Sequence, residues 1–236
     1  MNNGGGTGLQ RGGYLGLLRN KNFFLIWSGQ LVSQFGDAIY NLALIWLALE
    51  LTDSPVATGL VAFASTVPYP IFGLVAGAYS DRWSRKATMI ACDVVRGLVV
   101  LIVPALSAAG ALQVWHLAAI AFVLTTLRCF FSPSVLSAIP AVVPADRLMQ
   151  ASSFYHLSIQ GGGGLGPVAA GWLLSVLKTE TLFVIDAATF GVSVLALLPV
   201  TVPRAERTGR PPANVFADIA DAVRYLLGAR VLFWCL

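Results

Sequence analysis

The stretch Gly77-Ala-Tyr-Ser-Asp81-Arg82-Trp-Ser-Arg85-Lys86 places one acid and three bases between two long apolar runs, residues 56–79 and 87–106. A charged side chain at the centre of a bilayer costs roughly 3 kcal/mol or more, so this stretch belongs at a membrane face. Short loops rich in Lys and Arg face the cytoplasm. The stretch therefore predicts a cytoplasmic turn between two transmembrane helices.

The composition of the 236-residue chain favours a membrane protein, with 57% hydrophobic and only 11% charged residues. Soluble domains carry about 25% charged residues. The net charge of +4 does not indicate a nucleic-acid-binding protein, because the bases lie in short loops between apolar runs. The three cysteines show no C-x-x-C spacing and have no accompanying histidines, which argues against disulfides and a metal site.

Six apolar runs reach the ~20 residues that a membrane-spanning helix needs. They cover about residues 23–49, 56–79, 87–107, 114–139, 151–176 and 182–200. Pro68 and Pro70 are expected to bend the second helix, and Pro133 to interrupt the fourth. The fold class predicted is thus all-α, a polytopic membrane helix bundle occupying residues 14–200.

The basic residues predict how this bundle is oriented. Twelve of the 15 Lys and Arg residues fall on one side of the predicted helices, and Lys178 alone falls on the other. This bias places both ends of the six-helix unit in the cytoplasm, with the protein in the plasma membrane or bacterial inner membrane.

The remaining segments are expected to lie outside the bundle. Residues 1–13 are Gly- and Asn-rich and predict a disordered cytoplasmic tail. Residues 201–230 are basic and predict a cytoplasmic loop containing an amphipathic helix, and residues 231–236 begin a further apolar run. We expect the chain to be the front part of a longer protein, with a seventh helix starting at its end.

The charged stretch resembles G-x-x-x-D-R-x-G-R-K, the signature loop between the second and third helices of the major facilitator superfamily. Ser84 stands where the family usually has glycine, and the matching residues are Gly77, Asp81, Arg82, Arg85 and Lys86. The resemblance implies one half of a twelve-helix transporter, with a nested three-plus-three inverted repeat. Its partner would be a C-terminal six-helix half, and the loop would act as a conformational latch.

Asp37 and Arg128 are the candidates for proton coupling. Asp37 is fourteen residues into the first predicted helix, ~21 Å along it and thus near the middle of the membrane. A carboxyl group there could bind and release a proton; alternatively, it is a structural acid. The family often has a buried arginine at the position of Arg128, four residues before a glycine, although Ser132 stands there in this sequence. Arg128 is either a relay that exchanges partners or part of a fixed salt bridge.

The other charges within the predicted helices are assigned structural roles. Asp93 and Arg96 are three residues apart on one helix and are expected to pair locally. Asp186 is expected about one turn from the outer surface, where water can hydrate it.

A glycine-rich run in the fifth helix is the second motif. Gly162 and Gly166 are four residues apart, so one face is bare backbone against which another helix can pack closely. With Pro167 and Gly171, the run resembles the G-x-x-x-G-P-x-x-G-G element of antiporters in the superfamily, except that Ala170 replaces a glycine. A generic packing seam is the alternative.

The runs at 130–133 and 148–154 resemble the branch that contains the enterobactin exporter and macrolide-efflux proteins. Together these features predict a proton-coupled antiporter that exports small amphipathic compounds, a drug or a siderophore, by alternating access. The alternatives are an uptake symporter and a non-transporting assembly half. No catalytic, metal or phosphate-binding constellation is present in the sequence, so we expect no enzyme and no cofactor, with a proton gradient as energy source.

Overall fold

The computed structural model describes residues 14–80 and 83–202. The predicted tail 1–13, nearly all of the loop 201–230, the start of a seventh helix at 231–236, and Asp81 and Arg82 lie outside these residues. Within the described ranges all regular structure is helical, which confirms the all-α class.

Each predicted transmembrane helix is present, and two are divided into shorter pieces. The helices are α1 (Tyr14–Leu18), α2 (Lys21–Thr52), α3 (Pro55–Ala64), α4 (Pro68–Ser80), α5 (Arg85–Val100), α6 (Ile102–Ala108), α7 (Val114–Val142), α8 (Leu148–Val176) and α9 (Thr179–Leu197). The second span consists of α3 and α4, and the third of α5 and α6. At ~1.5 Å per residue, the 32 residues of α2 extend about 48 Å, more than the ~30 Å hydrocarbon core requires.

Five units in the described part of the chain are both long and apolar enough to cross a membrane: α2, α3 with the first part of α4, α5 with α6, α7, and α9. The remaining unit, α8, has 29 residues and no Asp, Glu, Lys or Arg. Its glycines and its Ser, Gln and His residues lower its mean hydropathy. Large apolar side chains on the outer surface, such as Val168 on α8 and Val56 on α3, are exposed, as expected where a surface faces lipid or another protein.

Prolines explain the two breaks. The second span is interrupted at residues 65–67 and α4 begins at Pro68, where the sequence predicts a bend, because the residue before a proline avoids the helical region. The break in the third span at Leu101 is not predicted. Pro104 has no N–H to donate to the carbonyl of Val100, and α5 ends at that residue.

The prediction that Pro133 interrupts the fourth helix is wrong. The helix α7 continues through both Pro133 and Pro140 to Val142. A proline removes one backbone hydrogen bond, and neighbouring helices in a packed bundle can compensate for that loss.

Side-chain caps fix where several helices begin. Asn20 accepts a hydrogen bond from the backbone N–H of Phe23 at the start of α2, and Ser54 does the same for Ala57 at the start of α3. Ser84, which replaces the usual glycine of the signature loop, accepts from Ala87 N–H at 3.5 Å and caps α5. The departure from the family pattern thus supplies a helix start.

The packing follows a three-plus-three arrangement. The first helix, α2, packs chiefly on α9 and α8, whereas the fourth, α7, packs on α5 and on α4 with α3. The first span therefore packs on the fifth and sixth spans, and the fourth span packs on the second and third. An internal repeat that relates the first three spans to the last three requires this correspondence. The third and sixth units, α5 and α9, pack against each other.

The interior has two apolar clusters with polar side chains between them. One cluster surrounds Leu44 of α2 and Phe183 of α9, and the other surrounds Phe23 of α2 and Val135 of α7. Between them, α2 buries Gln30, Ser33 and Asp37. The middle of the bundle is therefore a polar layer inside an otherwise apolar core.

Candidate functional site

The polar layer is centred on Asp37, which is only 6% exposed at the midpoint of α2. Its Oδ1 pairs with Nη2 of Arg96 on α5, and its Oδ2 lies 3.5 Å from Nη1 of Arg128 on α7. The structure therefore brings the predicted candidates Asp37 and Arg128 together and adds Arg96. One carboxylate holds guanidinium groups from two other helices.

Arg96 is the most enclosed base of this cluster, with 3% of its surface exposed. Its guanidinium carbon lies 4.2 Å from the centroid of the Phe190 ring on α9, and Nη1 lies 3.7 Å from Oδ1 of Asp93. The predicted pair with Asp93 is confirmed, but the closer partner is Asp37. A cation over an aromatic face is stabilised by the ring quadrupole, which offsets part of the desolvation of Arg96.

Arg128 differs from Arg96 because its side chain remains 28% exposed. Its Nη2 donates a hydrogen bond to Oε1 of Gln34, at 3.1 Å, one turn before Asp37 on α2. Arg128 thus links the buried acid to a more accessible side of the bundle.

The expectation that Asp186 is hydrated near the outer surface is wrong. Asp186 is 0% exposed, two turns into α9, with Oδ1 3.5 Å from the Thr189 hydroxyl. It packs over Gly36: a Cβ on that glycine would lie 2.6 Å from Asp186 Oδ1. The absence of a side chain at Gly36 brings α9 so close to α2 that Asp186 lies beside Asp37.

The predicted glycine seam is only partly formed. A Cβ on Gly162 would lie 3.1 Å from that of Gln34, and one on Gly166 would collide with that of Ala38. These two glycines are buried against α2, whereas Gly171 is exposed and has no described atom within 4 Å of its Cβ position.

Pro167 lies at the edge of the same seam. Together with Ala38 and Gly163 it lines an open, apolar groove of about 360 Å³ between α2 and α8, which also includes Asn41, Leu42 and Ile45.

The described part of the signature loop is anchored to the sixth span. Arg85 is the first residue of α5, and the ammonium group of Lys86 donates to the carbonyl oxygen of Leu198, at the end of α9, at 2.6 Å. Gly77 is exposed with no described atom within 4 Å of its Cβ position, so close packing does not explain its presence. Asp81 and Arg82 lie outside the described residues.

The sequence matches the family model described as Major Facilitator Superfamily over residues 26–236. The chain belongs to the major facilitator superfamily. The family resemblance of the signature loop and the polytopic helical fold are thereby confirmed, and the chain is a multi-pass membrane protein.

Relatives within the superfamily include efflux proteins. The chain is 25% identical over 213 residues to macrolide efflux protein A of Streptococcus pyogenes, covering 89% of this chain and 52% of that protein. It is 29% identical over 219 residues to the multidrug efflux pump Tap of Mycolicibacterium fortuitum, covering 88% and 53% respectively. For the Tap pump of Mycobacterium tuberculosis the identity is 28% over 232 residues, covering 91% and 54%. The chain spans about half the length of these relatives.

Sequence reasoning missed two elements of this superfamily member's polar layer. It placed Arg96 with Asp93 on the same helix, although its closest partner, Asp37, is 59 residues away. It also gave no packing role to Gly36. Arg96 and Gly36 each interrupt an apolar run, and a polar or small residue at such a position indicates a contact between helices. The sequence does not identify the residue on the other helix.

The seam between α8 and α2 gives a stability prediction. Gly166→Ala should destabilise the protein by about 1–2 kcal/mol, because the added methyl group collides with Ala38 Cβ. Adding Ala38→Gly should restore most of the loss, since the next atom, Ala38 Cα, is 3.6 Å from the new Cβ. Denaturation in mixed detergent micelles measures both effects.

The matched control is Gly164→Ala on the same helix, where no described atom lies within 4 Å of the added Cβ. It should leave stability unchanged or slightly higher, because alanine favours helix. Equal losses in both single variants, or no recovery in the double variant, would argue against close α2–α8 packing.

Proposed function

We propose that this chain forms the N-terminal six-helix half of a proton-coupled antiporter that exports small amphipathic compounds by alternating access. The observation that carries the proposal is the position of Asp37, an acid at the middle of a membrane-spanning helix that pairs with arginines from two other helices. Ionisable residues at membrane depth commonly mark substrate, ion or proton pathways.

The pairing of Asp37 is suited to a change of partners. A fixed buried ion pair is often no more stable than apolar packing of similar volume, so stability alone gives little reason to keep one. Arg96 is enclosed and Arg128 is partly accessible to solvent, so the ion pair of Asp37 with one arginine can break while the other remains. A shift of Asp37 between the two arginines would move α2 relative to α5 and α7, which is a two-state contact of the kind that alternating access needs.

Export is favoured by the relatives. Their names describe one macrolide efflux protein and two multidrug efflux pumps. Macrolides are bulky and partly apolar, so we infer an amphipathic substrate of the drug class, and the siderophore expected from the sequence is kept as the second candidate. The close contacts of Gly162 and Gly166 with α2 support antiport over symport, because tight α2–α8 packing would limit leakage through this side of the bundle.

The signature loop is proposed to act as a cytoplasmic latch. Lys86 joins the start of α5 to the end of α9, and we propose that Asp81 of the same loop contributes to the latch. Release of these contacts would let the inner ends of the helices separate. In this arrangement both ends of the six-helix unit face the cytoplasm, as the distribution of basic residues predicts.

The exposed apolar surfaces of α3 and α8 are where a second six-helix half would pack. Leu60 and Phe63 on α3, and Leu165 and Trp172 on α8, are each more than 60% exposed. Since the relatives are about twice as long as this chain, we propose that the substrate pathway lies between these helices and a C-terminal half.

An accumulation assay tests the proposed function. In a bacterial strain with its own efflux pumps deleted, expression of the native-length protein should lower the accumulation of one or more compounds from a panel of macrolides, cationic dyes and siderophores. A protonophore should abolish this reduction. Higher accumulation would instead support an uptake symporter, and no change across the panel would support a non-transporting protein.

A further inference from the structure

The charges of the polar layer form an alternating chain with one acid left over. Asp93, Arg96, Asp37 and Arg128 follow one another as acid, base, acid and base, with ion-pair contacts between neighbours. These four groups are neutral as a set when all are ionised. Asp186 is the fifth ionisable group of the layer in the described part of the chain, and it has no base of its own in an ion pair.

The surroundings of Asp186 do not favour a carboxylate. Its side chain is fully buried, and Oδ2 has no hydrogen-bond partner among the described residues. Its Oδ1 has only the Thr189 hydroxyl, 3.5 Å away. A buried carboxylate with no paired base and only one distant hydrogen-bond donor costs several kcal/mol, so such a group binds a proton instead.

The groups that face Asp186 come from three helices. They are Asp37 and Tyr40 of α2, Arg96 of α5 and Arg128 of α7. Both arginines are already in contact with Asp37, and the negative charge of Asp37 repels a second carboxylate nearby. Tyr40 is itself buried with an unpaired hydroxyl group, so it offers no charge to compensate Asp186.

We propose that Asp186 is the proton-binding site of this layer and that its proton is the one exchanged for substrate. The exchange depends on the function proposed above, whereas the presence of the proton rests on the contacts of Asp186 alone. Asp37, which pairs with both arginines, acts as the relay.

Loss of the proton from Asp186 would redistribute the pairing. The new carboxylate would compete with Asp37 and Asp93 for Arg96, which lies against Phe190 on the same helix as Asp186. A move of Arg96 toward Asp186 would weaken the ion pair between α5 and α2 and form a new ion pair between α5 and α9. Proton release would thus change which helices are held together.

Infrared spectroscopy of the purified native-length protein locates the proton directly. The C=O stretching band of a buried, protonated carboxylic acid should be present in the wild type at neutral pH. It should be lost in Asp186→Asn, which has the shape of the neutral acid, and shifted in Asp186→Glu, which keeps an acid there. It should persist in Asp93→Asn. Asp93 is the comparison because it is as buried and its two carboxylate oxygens also lack a hydrogen-bond partner among the described residues, but it has Arg96 at 3.7 Å as a paired base.

A band that survives unchanged in Asp186→Asn, or that disappears in Asp93→Asn, overturns the assignment. A band that NaCl removes and choline chloride does not would identify Asp186 as a sodium site and also overturn it.

In reconstituted vesicles, Asp186→Asn should retain exchange of substrate down its gradient but lose accumulation driven by a pH gradient; unchanged accumulation would refute the exchange role. A wild type that shows the band but moves no substrate refutes the proposed function and leaves the proton on Asp186.

Discussion

Replacing Asp37 by alanine is expected to lower the free energy of unfolding by roughly 3–5 kcal/mol. The substitution removes the shared partner of Arg96 and Arg128. Arg96 is buried and would keep only Asp93, 3.7 Å away, so its charge would be poorly compensated. Denaturation in mixed detergent micelles would measure the loss.

Asp146→Ala is the matched control for this substitution. Asp146 is 64% exposed and pairs with Arg147 only at 3.9 Å, so its removal should change stability by less than about 0.5 kcal/mol. If Asp37→Ala were no more damaging than Asp146→Ala, the shared ion pair would not exist in the membrane.

Gly36→Ala is expected to lower the free energy of unfolding by roughly 2–3 kcal/mol and to reduce transport. The new methyl group would collide with the Thr189 hydroxyl and lie 2.6 Å from Asp186 Oδ1, so α9 must move away from α2. This movement also separates Asp186 from Asp37. The same micelle denaturation, together with substrate efflux at matched protein abundance, would measure both effects.

Gly191→Ala on α9 provides the comparison, because no described atom lies within 4 Å of the Cβ that it adds. It should be neutral in both assays. Loss of efflux in Gly36→Ala without loss of stability would mean that the glycine serves motion and not close packing. Identical behaviour of the two variants would contradict the α2–α9 contact.

The fold was largely predictable because the length of each apolar run can be counted directly along the sequence. The apolar runs gave six helical units, and the bend expected at Pro68 is present as an interruption of the second span. Two prolines behaved differently from expectation: Pro133 leaves α7 intact, whereas Pro104 accompanies an unpredicted break. Whether a proline ends a helix depends on how neighbouring helices support the freed carbonyl group, and a single run of sequence does not contain that information.

The position of Asp37 along its helix was predictable from the sequence, but the partners of the charged residues were not. Counting residues along the first predicted helix placed Asp37 near its middle, and the structure has Asp37 at the midpoint of α2. The partner of each charge depends on how the helices are rotated about their axes. That rotation is set by close contacts such as Gly36 against Thr189, which involve residues more than 150 positions apart. Asp186 was misplaced for this reason, since burial by a neighbouring helix removed the water that its position suggested.

The central claim, proton-coupled export through the network around Asp37, is tested most directly by driving the reconstituted native-length protein with a pH gradient alone. Liposomes with an acidic interior should accumulate a substrate identified in the panel above its external concentration. A protonophore should abolish this accumulation, and Asp37→Asn should fail to support it at equal protein content. Accumulation that needs an alkaline interior, or that persists in Asp37→Asn, would contradict the account.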